Sequence, residues 1–261
     1  MIFMPYIVSV IGQSDTGFVR HNNEDAWAEI PDCQLYVLAD GMGGHRAGEV
    51  AARETIEMLS TLLKKFLSPP GKYTLEETQQ IIRKTIIEVN SAIYRMGQKQ
   101  ESLRGMGTTL CCIYLHPEKL ICSHVGDSRI YRFRKNHLEQ LTQDHSLVRE
   151  LMDLGQLSEH QAGGFLYKNI ITRAVGTEPT VEPSISTWEV HPHDKYLMCT
   201  DGLSDQVSHS EIEEALKKQC PLKETAESLI ALVNRRGGYD NTTLVLIEIE
   251  KIPKHSLKNV S

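Results

Sequence analysis

Apolar residues recur along this chain at two different periods, and the switch between them marks its elements. Ile56, Leu59, Leu63 and Phe66 are spaced 3, 4 and 3 apart, which places them on one face of a helix. Pro69-Pro70-Gly71 ends that helix. Thr74 with Glu77 is a capping-box pair for a second one, in which Ile82, Ile86, Val89 and Ile93 again share a face. Elsewhere the apolar runs are short, dense and rich in β-branched or aromatic residues, as strands require. They cover Tyr6 to Ile11 and Gln34 to Ala39, then TTLCCIYL, KLICSHV and RIYRFRK between residues 107 and 141, separated by HPE and GDS.

Ser146 to Leu154 reads as a short helical piece, and residues 155–169 as a polar, glycine-bearing surface excursion. Further strands are expected over Ile185 to Val190, Tyr196 to Thr200 and Thr242 to Ile249. Between the last two, Ser208 with Glu211 caps one helix and Lys223 to Arg235 forms another. Strands come in groups and helices in pairs, without strict alternation. That predicts an α+β fold of antiparallel sheets with helices packed outside. No repeat or linker divides the chain, so residues 1–250 are expected to form one domain and 251–261 a disordered tail.

Of 261 residues, 40% are hydrophobic and 24% charged, a balance that supports a sizeable core. A net charge of -6 argues against a nucleic-acid surface or a polybasic membrane anchor. No apolar run approaches the roughly 20 residues of a membrane span. The N-terminus lacks the basic start and small-residue cleavage site of a signal peptide, and reads as a first strand. Six cysteines, at positions 33, 111, 112, 122, 199 and 220, form no C-x-x-C pair and sit mostly in apolar runs. They are expected to be buried thiols in a reducing compartment, hence a cytoplasmic protein.

The chemistry sits where strands stop. Asp40 ends the run LYVLA, and three of the next four residues are glycine (Gly41, Gly43, Gly44), as where backbone must pass close to something. Asp201 follows YLMCT and precedes Gly202. Asp127 follows Gly126 after ICSHV, Asp240 follows Gly237-Gly238-Tyr239, and Glu24 with Asp25 closes VRHNNED. Taken singly, an aspartate beside a glycine is an ordinary turn. Gathered from several strand ends, such carboxylates repel one another unless a cation neutralises them. All-oxygen ligands select Mg²⁺ or Mn²⁺ over zinc, and a water between two such ions is a ready nucleophile. Arg20, four residues before Glu24, either grips a phosphate in bidentate fashion or pairs with an acidic neighbour.

Competing chemistries lack the residues they need. GQSDTGFV half resembles a phosphate-binding loop, but Phe18 stands where lysine is needed. There is no G-x-S-x-G elbow. None of the six cysteines has an arginine six residues later, as a cysteine phosphatase requires.

In order and spacing, SDTGFVRHNNEDA, LADGMGGH, HVGDSRIYRF, LTQDHSLV, NIITRAVG, CTDGLSD and GYDNTT resemble the metal-dependent protein phosphatases of the type 2C (PPM) family, most closely its bacterial branch. The likeness spans roughly residues 8 to 250. It implies a four-layer α-β-β-α sandwich with a binuclear metal site at one edge, and hydrolysis of phosphoserine and phosphothreonine in proteins by a hydroxide bridging two Mn²⁺ or Mg²⁺ ions. By motif, Asp40 would bridge both ions, Asp201 and Asp240 hold the first, and Glu24 with the Gly41 carbonyl the second. Asp127 with Asp201 would hold a weaker third ion, Arg20 would bind phosphate, and Asp25 would act through hydrogen bonds or water.

Met42 stands where many eukaryotic members carry a histidine that is a candidate general acid, and a thioether cannot protonate a leaving alkoxide. A metal-bound water would have to serve instead, while His45 and His145 read as structural. SEHQAGGFLYK, in the segment resembling the family's flap, departs from the commoner pattern and leaves substrate preference open. A monomer is expected, acting on phosphoproteins and opposing a cognate serine/threonine kinase. A non-catalytic phosphoprotein-binding regulator of the same fold is the alternative, which a full ligand set disfavours.

Overall fold

The structure, a computed structural model, describes residues 6–43, 46–162, 165, 167 and 169–252. The first half runs β1 (Ile7–Asp15), β2 (Asp25–Ile30), β3 (Leu35–Met42), α1 (Arg46–Leu67), α2 (Leu75–Lys99), β4 (Gly107–Thr108) and β5 (Leu110–Leu115). Next come β6 (Leu120–Val125), β7 (Arg129–Arg134), β8 (His137–Gln140), α3 (Leu147–Asp153) and α4 (Glu159–Ala162). The chain continues with β9 (Ser184–Trp188), β10 (Lys195–Cys199), α5 (Asp201–Ser204), α6 (His209–Lys217), α7 (Leu222–Arg235) and β11 (Thr242–Lys251).

Two antiparallel sheets form, ordered β1-β11-β10-β7-β8 and β2-β3-β5-β6-β9, with β4 paired to β3. Their central strands read as continuous apolar runs because both faces are buried. Along β3, Leu35, Val37 and Ala39 join a core against α1 and α2, while Tyr36 and Leu38 point between the sheets. β11 divides the same way: Val245, Ile247 and Ile249 face the other sheet, and Leu244 and Leu246 pack with α6 and α7. Three cores separated by two sheets make the α-β-β-α sandwich, as the resemblance implied.

Both capping boxes are present, with Thr74 and Ser208 each accepting from the backbone N–H of the glutamate three residues on. Phe66 departs from expectation: it is 36% exposed, and fully buried Leu67 takes its place on the inner face. From Leu63, four residues stay closer to a 3.6-residue stripe than three do once the face has drifted. β11 runs to Lys251, one residue into the expected tail, and residues 253–261 lie outside the described residues. All six cysteines are free, five of them buried, and burial pushes the thiols of Cys33 up to about 11 and Cys112 up to about 12.

Candidate metal centre

Strand register brings the acidic residues to one end of both sheets. Asp25 starts β2 directly opposite Asp40 near the end of β3. In the other sheet, Asp15↔Thr242, Cys199↔Leu244 and Arg129↔Cys199 align the end of β1, the start of β11, the end of β10 and the start of β7. The residues just beyond those ends therefore converge: Asp240 before β11, Asp201 after β10, Asp127 before β7. Of the residues singled out, Arg20, Glu24, Asp40, Gly41, Asp127, Asp201 and Asp240 line one pocket of ≈ 410 Å³, together with Met42 and Ile171, while Asp25 lies behind them outside its lining.

The glycines make that convergence possible. A β-carbon on Gly41 would collide with the Gly48 carbonyl and the Glu24 carbonyl oxygen, and one on Gly48 with Glu24 Oε2. The start of α1 thus lies directly on β3, with the Glu24 carboxylate beside it. Gly43 adopts φ +131, which glycine tolerates; Gly44 and His45 lie outside the described residues. Gly202 lets α5 close on the Asn241 carbonyl.

Burial and like charge act on Asp25, Asp40, Asp127 and Asp201. Burial, then Asp25, Asp201, Asp127 and Asp240, push the Asp40 carboxyl well above the usual range. Burial, followed by Asp201, raises Asp127 to about 7. Burial also raises Asp25 to about 7, against hydrogen bonds with Thr243 and Thr200. Asp201 rises to about 6 through burial and Asp240. Asp25 Oδ2 accepts from the Thr200 hydroxyl at 3.0 Å, but its buried Oδ1 has no partner.

Among the described residues no three His, Cys, Asp or Glu side chains are drawn into a closed ligand shell. Arg20 instead pairs with Asp240, Nη2 to Oδ2 at 2.7 Å, with both side chains partly exposed. The donor set nevertheless fits a hard divalent cation. It is all oxygen, negative and mutually repelling, with the unsatisfied buried Oδ1 of Asp25 beside it, and such a cation would oppose each upward shift.

Several supporting residues were not legible in advance. Asn241 accepts the Glu24 N–H at 2.8 Å and donates to the Thr16 and Asn22 carbonyls, each at 3.0 Å, so one amide fastens the β1–β2 loop at three points to the start of β11. Thr109 Oγ1 accepts the Asp40 N–H at 3.0 Å and lies 2.7 Å from Ser128 Oγ, linking Asp40 to the Asp127 turn. Gly48 could have been noticed as a glycine within a helical stretch; the threonines carried no signal.

A family model described as Protein phosphatase 2C matches residues 19–245. The serine/threonine phosphatase stp of Listeria monocytogenes is 40% identical over 239 residues, covering 90% of this chain and 94% of the relative. Among solved structures, the Streptococcus agalactiae serine/threonine phosphatase superposes with a TM-score of 0.86 at 35% identity, over 94% of this chain and all of that one. The catalytic domain of the serine threonine protein phosphatase PstP, solved in complex with 2 manganese ions, gives a TM-score of 0.79 at 39% identity, over 94% of this chain and 99% of that one.

Proposed function

The chain belongs to the protein phosphatase 2C family, and from that premise we propose how its pocket hydrolyses phosphoserine and phosphothreonine. It is a metal-dependent serine/threonine protein phosphatase. The observation that carries the reading is Asp40, partly buried at the floor of the pocket and repelled by four other carboxylates, beside a partly exposed arginine.

Asp40 would be shared between two Mn²⁺ or Mg²⁺ ions, with Asp201 and Asp240 completing one set of ligands and Glu24 with the Gly41 carbonyl the other. Asp127 and Asp201 would hold a weaker third ion. When bound, these ions supply charge neutralisation at phosphorus and an activated water. Arg20 exchanges its Asp240 partner for phosphate oxygens, and its planar guanidinium fixes the phosphoryl group for in-line attack. Asp25, anchored to Thr200, accepts a hydrogen bond at its unpaired Oδ1 and orients water beside Asp40. Met42 offers the leaving oxygen no proton, so Asp127 carboxylate oxygens orient the water that does. No cysteine takes part: the buried thiols stay protonated at neutral pH.

Every proposed ligand comes from one chain, so a monomer suffices. Free cysteines, and the lack among the described residues of a helix long and apolar enough to cross a membrane, support a cytoplasmic enzyme opposing a serine/threonine kinase. Hydrolysis of para-nitrophenyl phosphate tests the reading. Activity is expected with Mn²⁺, to vanish in excess chelator and to survive alkylation of accessible thiols. Turnover in chelator, or its loss on alkylation of a protein that stays folded, would overturn it.

A further inference from the structure

Behind the Asp127 turn lies a buried histidine pair that the mechanism above does not use. The rings of His124 and His145 stack at 4.5 Å and 20°. The Gly126 N–H donates to His145 Nδ1 at 3.1 Å, and the His145 N–H returns a bond to the Gly126 carbonyl at 3.0 Å. A backbone N–H can only donate, so Nδ1 must carry a lone pair and the proton must sit on Nε2. Nε2 faces Ser184 Oγ at 2.9 Å. Arg173 Nη1 lies 3.4 Å from the same Nε2, and two donors cannot bond, so its charge acts only against an imidazolium.

His145 also belongs to the stem of the flap-like segment. Its carbonyl accepts the Thr172 N–H at 2.9 Å, Leu147 N–H reaches the Ile170 carbonyl at 2.9 Å, and Ser146 bridges Ile171, which lines the pocket. Gly126 has little freedom of its own. Its φ is +101, and a β-carbon there would strike the Thr109 side chain.

We propose that His145 is a positioning residue for the phosphatase reaction: its Nδ1 lone pair holds the Gly126–Asp127 peptide so that the Asp127 carboxylate is aimed into the pocket, in register with the flap stem. Burial, then His124 and Arg173, lower the imidazole to about 3, so this arrangement persists across the working pH range. The role assigned to Asp127 rests on the phosphatase reading, but the tautomer does not.

Two variants divide the imidazole's functions. His145→Asn places an acceptor oxygen near the Nδ1 position, whereas His145→Gln reaches toward Ser184 and leaves the Gly126 N–H without a partner. For His145→Gln, kcat on a phosphothreonine peptide is expected to fall about tenfold with KM little changed, and less on para-nitrophenyl phosphate. His145→Asn is expected to recover peptide turnover to within about threefold of the parent. Imidazole ¹⁵N spectra of the parent should show protonated Nε2 and bare Nδ1, unchanged between about pH 5.5 and 8. A protonated Nδ1, an equal loss in both variants, or full activity in His145→Gln would overturn the proposal. The parent's own Mn²⁺-dependent turnover reports separately on the phosphatase reading.

Discussion

Asp127 occupies a turn in which glycine precedes it and serine follows, and on sequence grounds it is indistinguishable from an aspartate that merely caps its own backbone. Its surroundings separate the two roles. Ser128 beside it is tied to Thr109 and through it to Asp40, the pocket holds its carboxylate, and Met42 leaves the leaving group without a protein acid. Asp127→Ala should keep the fold and lose kcat on a phosphothreonine peptide by at least about tenfold, the low edge for general acid–base catalysis. The loss should be smaller on para-nitrophenyl phosphate, whose phenolate leaves without needing a proton. Steady-state kinetics on both substrates decide it, since slight and equal losses would mark a turn residue. The carboxylates themselves were readable in the sequence because aspartate next to glycine at a strand end is a local signal. Asn241, Thr109 and Thr200 were not, because each acts on residues more than 60 positions away and nothing local distinguishes it from any polar side chain.

At the scale of elements, the junction between α1 and β3 sets how closely Glu24 approaches Asp40. Gly41 and Gly48 are both needed there, since a β-carbon on either would overlap the Glu24 backbone or carboxylate. An exposed helical glycine changed to alanine normally gains about 0.5–1 kcal/mol. Gly48→Ala should do the opposite, because overpacking costs roughly 1–3 kcal/mol. It should lower Tm and raise the Mn²⁺ concentration for half-maximal activity about tenfold; unchanged values of both would show that Glu24 is free to move aside. Element legibility followed burial. β3, β5, β6, β10 and β11 stood out because apolar residues cover both faces. β2 and β8 escaped notice, and β1 runs on to Asp15, beyond the expected end at Ile11. All three lie at sheet edges, where polar residues such as Gln13, Ser14 and Glu139 cost little.

The molecule as a whole exists to hold repelling charges in one place. Each sheet contributes part of the acidic set, Asp25 and Asp40 from one, Asp201 and Asp240 from the ends of the other, and the core between them fixes their spacing. Order along the chain revealed this convergence only through the resemblance of seven motifs to a known family; periodicity alone delivered layers and helices, not which strand ends meet. The sandwich is therefore expected to keep its form with Asp40 altered while the chemistry fails. The most direct measurement is phosphate release from a phosphothreonine peptide across a Mn²⁺ titration, comparing the parent with Asp40→Asn. The parent should show saturable Mn²⁺-dependent turnover abolished by chelator, and Asp40→Asn, equally folded by circular dichroism, should lose at least about a hundredfold, as removal of a principal electrostatic group does. Parent-like turnover by Asp40→Asn, or metal-independent turnover by the parent, would contradict the account.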